Sequence, residues 1–171
     1  MNNITINSNS NDIKEMEKLF PRAPLKIIAM EGCKELGQKV NDYIVNFRQS
    51  SYREELKSPM YATYLQDNYL VDAHCPRFGS GEAKGVLNES VRGKDLFIMT
   101  DVCNYSLTYS VNGYVNHMSP DDHYQDLKRL ISAANGKEHR LNIIMPFLYE
   151  PSAQTYKTRV SGLRFGTSGT D

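Results

Sequence analysis

The residues best suited to chemistry lie in one short stretch, Phe78-Gly79-Ser80-Gly81-Glu82. Two glycines flank a serine, so the backbone there can take positive φ or approach a ligand closely. An aromatic ring can stack on a flat heterocycle, and a hydroxyl and a carboxylate can bond its polar edge. The plainer alternative is a tight strand-to-strand connection, with Glu82 in water and Phe78 in the core. A second cluster, His117, Asp121, Asp122 and His123, brings two imidazoles and two carboxylates close in sequence, a donor set that suits a metal ion. The same residues also spell a helix start. Ser119 suits an N-cap, Pro120 the first helical position, and the acids the positive end of the helix dipole. Helix initiation accounts for more of these residues, and it is the reading adopted. His74 and His139 have no carboxylate at motif spacing, which favours structural or surface roles for both.

These residues need elements to position them. Leu25–Met30 is a short apolar run sized for a first strand, and Glu31-Gly32-Cys33 turns the chain into a helix over Lys34–Phe47. Leu36, Val40, Tyr43, Ile44 and Phe47 follow three-to-four spacing and predict its buried face. Tyr69–Cys75 is a second strand leading into the glycine-rich loop, and Glu82–Leu87 has the pattern of a half-buried strand. Gly93 supplies the turn within Ser90–Asp95, and Leu96–Met99 is an apolar run for a buried strand. The next helix runs to Ala134 with Tyr124, Leu127, Leu130 and Ile131 on one stripe, and Asn135-Gly136 ends it. Leu141–Met145 forms a last strand before Pro146. Alternating strands and helices predict an α/β layered fold with a largely parallel central sheet flanked by helices. One antiparallel pair is expected around Glu82–Asn88. Residues 48–68 are polar and tyrosine-rich, with Pro59 breaking any long helix, and 103–118 are another polar, tyrosine-containing stretch. Residues 1–12 are Asn/Ser-rich and expected to be disordered, with Asp12 capping a short helix, Ile13–Phe20, closed by Pro21 and Pro24.

Composition excludes several classes. Lys plus Arg and Asp plus Glu number 20 each, so no net field recruits nucleic acid or a membrane surface. No apolar run reaches the roughly 20 residues of a membrane span. The polar N-terminus does not resemble a secretory signal. Cys33, Cys75 and Cys103 are odd in number and lack CxxC spacing, which favours neither a disulfide framework nor a zinc ribbon. The cytoplasm is the expected location.

The stretch F-G-S-G-E, followed by E-S-V-R-G-K-D-L-F-I, resembles the N-terminal domain of ribose-phosphate pyrophosphokinases. That family carries F-x-D/N-G/Q-E and then E-x-V-R-G-x-D-V-F-I. Phe78, Gly81, Glu82, Glu89, Val91, Arg92, Gly93, Asp95, Phe97 and Ile98 match in one register, and Ser80 replaces the usual Asp or Asn. The segment L-N-I-I-M-P-F-L-Y resembles the family's apolar strand followed by P-Y-F-G-Y-A-R-Q-D-R-K, with Pro146, Phe147 and Tyr149 in register. Pro151-Ser152-Ala153-Gln154 stands where the family's Arg-Gln pair grips ATP. Thr100-Asp101 has a fainter likeness to a phosphoribosyltransferase ribose-phosphate loop, but the further acid and the T-G-x-T turn are absent.

The resemblance implies a phosphoribosyltransferase-like fold over residues 25–159, preceded by a 1–24 extension and followed by an unassigned 160–171 tail, with 48–68 and 103–118 longer than the family's usual connections and therefore read as insertions. It implies ATP and Mg²⁺ as cofactors, and ATP and ribose 5-phosphate as substrates for pyrophosphate transfer in nucleotide biosynthesis. A homo-oligomer is implied as well, with no nucleic-acid or membrane partner. Phe78, Ser80 and Glu82 would line the adenine pocket of a neighbouring subunit. Gln154 would contact ATP after a one-residue shift, with Lys157 and Arg159 approximating the basic residues beyond. No catalytic residue and no metal ligand is assigned. The resemblance covers the family's N-terminal half, so a partial synthetase inactive by itself is expected. The alternative is a non-catalytic, synthetase-like domain for nucleotide binding, regulation or assembly. The terminal R-F-G-T-S-G is similar to the opening motif of phosphohexomutases, whose phosphoserine segment is missing, and it carries no assignment.

Overall fold

In chain order the elements are β1 (Leu25–Ala29), a 3-10 turn at Glu31–Cys33, α1 (Lys34–Ser50), β2 (Ala73–His74), β3 (Val86–Leu87), β4 (Asp95–Met99), β5 (Thr108–Val111), β6 (Tyr114–His117), α2 (Pro120–Ala134) and β7 (Arg140–Ile144). The computed structural model describes residues 23–50 and 64–149. The helix expected at Ile13–Phe20, residues 51–63 of the first insertion, Gln154, Lys157, Arg159 and the R-F-G-T-S-G tail lie outside the described residues.

The three apolar strands pair in parallel in the order β1-β4-β7, with Ile28 opposite Ile98 and Ile98 opposite Ile143. Parallel neighbours need crossovers, and α1 and α2 supply them. Leu70 bridges Ile27 in parallel on the other side of β1, where Ile27 N donates to Tyr69 O at 2.8 Å and Val71 N to Ile27 O at 2.8 Å. The chain therefore winds in one direction after β1 and in the opposite direction after β4. This is an α/β fold with a parallel central sheet, as expected from the sequence.

Because successive strand residues alternate faces, each strand feeds two cores. Ile28, Leu96 and Ile98 pack with Leu127, Leu130 and Ala134 of α2. Ile27 and Met99 pack with Cys33, Tyr69 and the half-buried Val40, Ile44 and Val45 of α1. Helix α2 has the signals read from the sequence. Ser119 Oγ accepts from Asp122 N, Asp122 returns the bond to the Ser119 backbone, and Asn135 closes the helix in the left-handed region at φ 57°.

Three expectations need correction. The stripe assigned to the buried face of α1 is largely exposed, at 45% for Leu36, 70% for Tyr43 and 55% for Phe47. The fully buried positions are Gly37 and Asn41, rotated by roughly a quarter turn at ~3.6 residues per turn, while Val40 and Ile44 of the expected stripe are half-buried. Two short-range constraints set that rotation. A Cβ on Gly37 would overlap the methyl of Ala29, and Asn41 Oδ1 accepts the Tyr69 N–H at 2.8 Å. The 103–118 stretch, given no element of its own in the sequence reading, carries the β5–β6 hairpin. Its turn residues Asn112 and Gly113 both have positive φ, 51° and 82°, as a type I′ hairpin turn requires. The strands expected at Tyr69–Cys75 and Glu82–Leu87 shrink to the two-residue antiparallel pair β2–β3 and an Arg77–Ala83 bridge. Among the described residues no helix is long and apolar enough to cross a membrane.

Candidate functional site

The β2–β3 pair and the Arg77–Ala83 bridge hold the base of the glycine-rich loop. Phe78 N donates to Glu82 O at 2.7 Å, and Gly81 N donates to Phe78 O at 2.9 Å. The second bond closes a four-residue turn in which Gly81 takes φ 90°, a conformation strained for any residue with a side chain. The turn pushes its side chains outward. Phe78 is 49% exposed, which rules out the core role, and Ser80 and Glu82 are exposed beside it. Ser80 Oγ donates to Glu82 Oε2 at 3.1 Å, fixing the hydroxyl and carboxylate as one polar edge next to the ring. The loop thus presents an aromatic face and a hydrogen-bonding pair to whatever approaches from outside.

What keeps this loop in place lies one residue earlier. Arg77 donates to Asp126 Oδ2 at 2.9 Å with both side chains nearly buried, and its guanidinium sits 4.5 Å over the Tyr109 ring. Arg129 donates to the other oxygen, Oδ1, at 2.6 Å. Burial pushes the Asp126 carboxyl up, while Arg129 and then Arg77 oppose the rise. The neighbouring Cys75 thiol is pushed up to about 12, by burial first and Asp126 second. A thiol held so high stays protonated and unreactive at neutral pH. Gly85 completes the support, because a Cβ there would overlap the Arg129 carbonyl, so the strand rests directly on α2. Arg77, Asp126 and Gly85 were not singled out from the sequence. A readable signal existed for one of them: Asp126 sits on the same helical line as Leu127, Leu130 and Ala134, and a charge on an apolar line requires a partner.

The residues weighed as a metal cluster have separate structural duties. His117 Nδ1 meets Tyr105 O at 2.9 Å, His123 Nε2 meets Asn104 O at 2.7 Å, and Asp122 is spent in the capping box. Asp121 accepts the Tyr149 hydroxyl at 2.6 Å, and the Tyr149 ring stacks on Tyr124 at 4.1 Å. Among the described residues no group of three or more His, Cys, Asp or Glu is arranged to hold a metal ion.

The second half of the motif is structural. Val91 and Ile98 are buried, Gly93 turns with φ 65°, and Glu89 pairs with Lys26 at 3.1 Å. Asp95 takes a two-pronged grip from Arg140, which holds its carboxyl below the usual range. The structure therefore brings Phe78, Ser80 and Glu82 together on one loop.

A family model described as the N-terminal domain of ribose phosphate pyrophosphokinase matches residues 25–161, a span that takes in every element from β1 to β7. No curated protein matches the chain.

Proposed function

The chain belongs to the family of ribose phosphate pyrophosphokinase N-terminal domains, and from that membership we propose that it supplies one domain's share of pyrophosphate transfer from ATP to ribose 5-phosphate. Its share is nucleotide contact. The observation that supports this is the exposed Phe78 ring beside the bonded Ser80–Glu82 pair, on a turn fixed by Gly81. The ring stacks on adenine, and the carboxylate accepts from its amino group. Because the loop faces outward, the ATP it touches is held by an adjoining subunit, which makes a homo-oligomer part of the same reading. Gln154 is assigned to ATP as well, and the protein to the cytoplasm.

The family's reaction uses magnesium with ATP, which neutralises phosphate charge. The described His and Asp donors are spent on structural contacts and do not fit such an ion. Transfer depends on positioned cations and metal, and the share assigned to this domain is nucleotide contact, so the domain by itself is expected to form no phosphoribosyl pyrophosphate. A second reading, a non-catalytic assembly domain, is favoured by the apolar residues left exposed on α1, at the end of β7 and just beyond it: Tyr43, Phe47, Ile143, Ile144 and Phe147.

Phe78→Ala tests the leading reading. Loss of one base–aromatic stack should cost roughly 1–3 kcal/mol, about 5- to 150-fold in ATP affinity, with the melting temperature unchanged. Glu82→Gln should cost less, because its amide oxygen still accepts a bond. Unaltered ATP affinity in Phe78→Ala, or a large fall in melting temperature, would reject the adenine contact.

A further inference from the structure

Outside the carboxyl ends of β1 and β4 lies a cavity of about 340 Å³ that shares no residue with the Phe78–Glu82 tip. Met30 and Glu31 reach it from β1, Thr100 and Asp101 from β4, and His123 and Leu130 from α2. These are the two strands after which the chain turns in opposite directions. Open α/β sheets bind ligands in the crevice at such a switch point. The volume lies at the small end of the range for small-molecule sites, roughly 300–1,000 Å³.

Thr100 carries the second, independent sign. It is fully buried at 0% exposure, its N–H is spent on Ile144 O at 3.0 Å, and its hydroxyl has no hydrogen-bond partner among the described residues. Buried hydroxyls in native chains are rarely left so, and Thr100 is one of the residues that line the cavity.

The surrounding groups define what would satisfy it. His123 Nε2 faces the Asn104 carbonyl, which can only accept, so Nε2 carries a proton, and in the neutral ring Nδ1 is an acceptor. Asp101 takes one backbone N–H, from Cys103 at 3.0 Å, and has no cationic partner among the described residues. Of the three acids that line the cavity, Glu31 is paired with Lys34 and Asp126 with Arg77 and Arg129, which leaves Asp101 uncompensated among the described residues. Acceptors and the one uncompensated negative charge of Asp101 therefore set its character, between the apolar walls of Met30, Met118 and Leu130. A phosphate would meet repulsion there, whereas a flat molecule bearing amino or hydroxyl donors would be welcomed.

We propose that this cavity is a second ligand site, selective for an uncharged amino-heterocycle of the nucleoside class over its phosphorylated forms. Its donors meet Asp101, His123 Nδ1 and the Thr100 hydroxyl, and its body lies between the methionine and leucine walls. The site stands apart from the loop and does not depend on the loop's binding ATP.

Calorimetric titration of the whole chain with adenosine, and separately with AMP, tests the proposal. Adenosine should bind saturably at one site, and AMP at least tenfold more weakly. Thr100→Val, which keeps the shape and removes the hydroxyl, should lower adenosine affinity at least fivefold. Asp101→Asn should narrow the gap between adenosine and AMP, a change that a merely structural role would not produce. That second variant carries the test even if Thr100→Val fails to fold. Phe78→Ala should leave adenosine affinity unaltered. Absence of adenosine binding, AMP binding as tight as adenosine, an unchanged gap in Asp101→Asn, or adenosine binding lost in Phe78→Ala would each overturn it.

Discussion

Among the described residues the hydrophobic cluster on the α2 face of the sheet has nine buried members, from Ile28 to Ala134, whereas that on the α1 face has four, Ile27, Cys33, Tyr69 and Met99. The α2 face also takes in the charged trio Arg77, Asp126 and Arg129, while α1 sends Tyr43 and Phe47 into solvent, where their rings stack on each other. Both candidate sites rest on the better-packed face. The glycine-rich loop is tied to Asp126, and the cavity is walled by His123 and Leu130 of the same helix. A loop holds its geometry only as well as its support does, and buried ionic contacts fix one arrangement where apolar packing alone would admit several.

The largest expected effect tests that support. Asp126→Ala leaves two guanidiniums unpaired at a buried position and should cost about 3–5 kcal/mol in denaturant unfolding. A loss below 1 kcal/mol would mean that the α2 face is held by packing alone. Next come the two close approaches. Gly85→Ala drives a methyl into the Arg129 backbone and should cost about 1–3 kcal/mol. Gly37→Ala meets only the Ala29 methyl, so the looser α1 can shift aside and the loss should be smaller. Equal losses would erase the distinction between the faces.

The third effect is smaller and depends on pH. Asp95 is held below the ordinary carboxyl range, chiefly by its Arg140 hydrogen bonds. Its contribution is therefore fully present above an unfolded-chain value of about 3.9 and is lost as pH falls through the lower folded value. Because Arg140 is well exposed, Arg140→Ala should cost little at neutral pH and should flatten the acid limb of the stability curve. An unchanged acid limb would show that the grip contributes nothing. The smallest effect belongs to Phe47→Ala, expected within about 0.5 kcal/mol of the parent in stability. The same substitution should reduce self-association in light scattering if the exposed stripe is a contact surface.

Much of this was legible in the sequence, for physical reasons that differ by element. The start and stop of α2 could be read because capping chemistry is local: Ser119, Pro120, Asp122 and Asn135 act within one turn of themselves. β1 and β4 could be read because they lie inside the sheet and their residues are accordingly apolar, and β7 because it is an apolar run even though Ile143 and Ile144 are left exposed. The face of α1 could not be read, since it was decided by Gly37 against Ala29 and by Asn41 reaching Tyr69, contacts between residues remote in sequence. The hairpin was missed although Asn112-Gly113 is a strong local turn signal, because the polar residues around it hid the alternation. Phe78, Ser80 and Glu82 stood out by type and spacing. Their anchor did not, because pairing Arg77 with Asp126 spans the whole length from loop to helix and leaves no periodic trace. The cavity depends on which strand ends meet, which no local pattern encodes.

The three thiols are placed very unequally, and that makes the chain its own labelling reagent. Cys33 is buried and Cys75 half-buried, each with its ionisation pushed up by burial, whereas Cys103 is exposed. The thiolate is the form that attacks a maleimide, so the native protein should take up one dye, at Cys103. That position lies two residues beyond Asp101, and its N–H is bonded to the Asp101 carboxylate. A fluorophore there would sit at the lip of the crevice without any engineered residue, and its emission would respond to the occupancy of the space behind it.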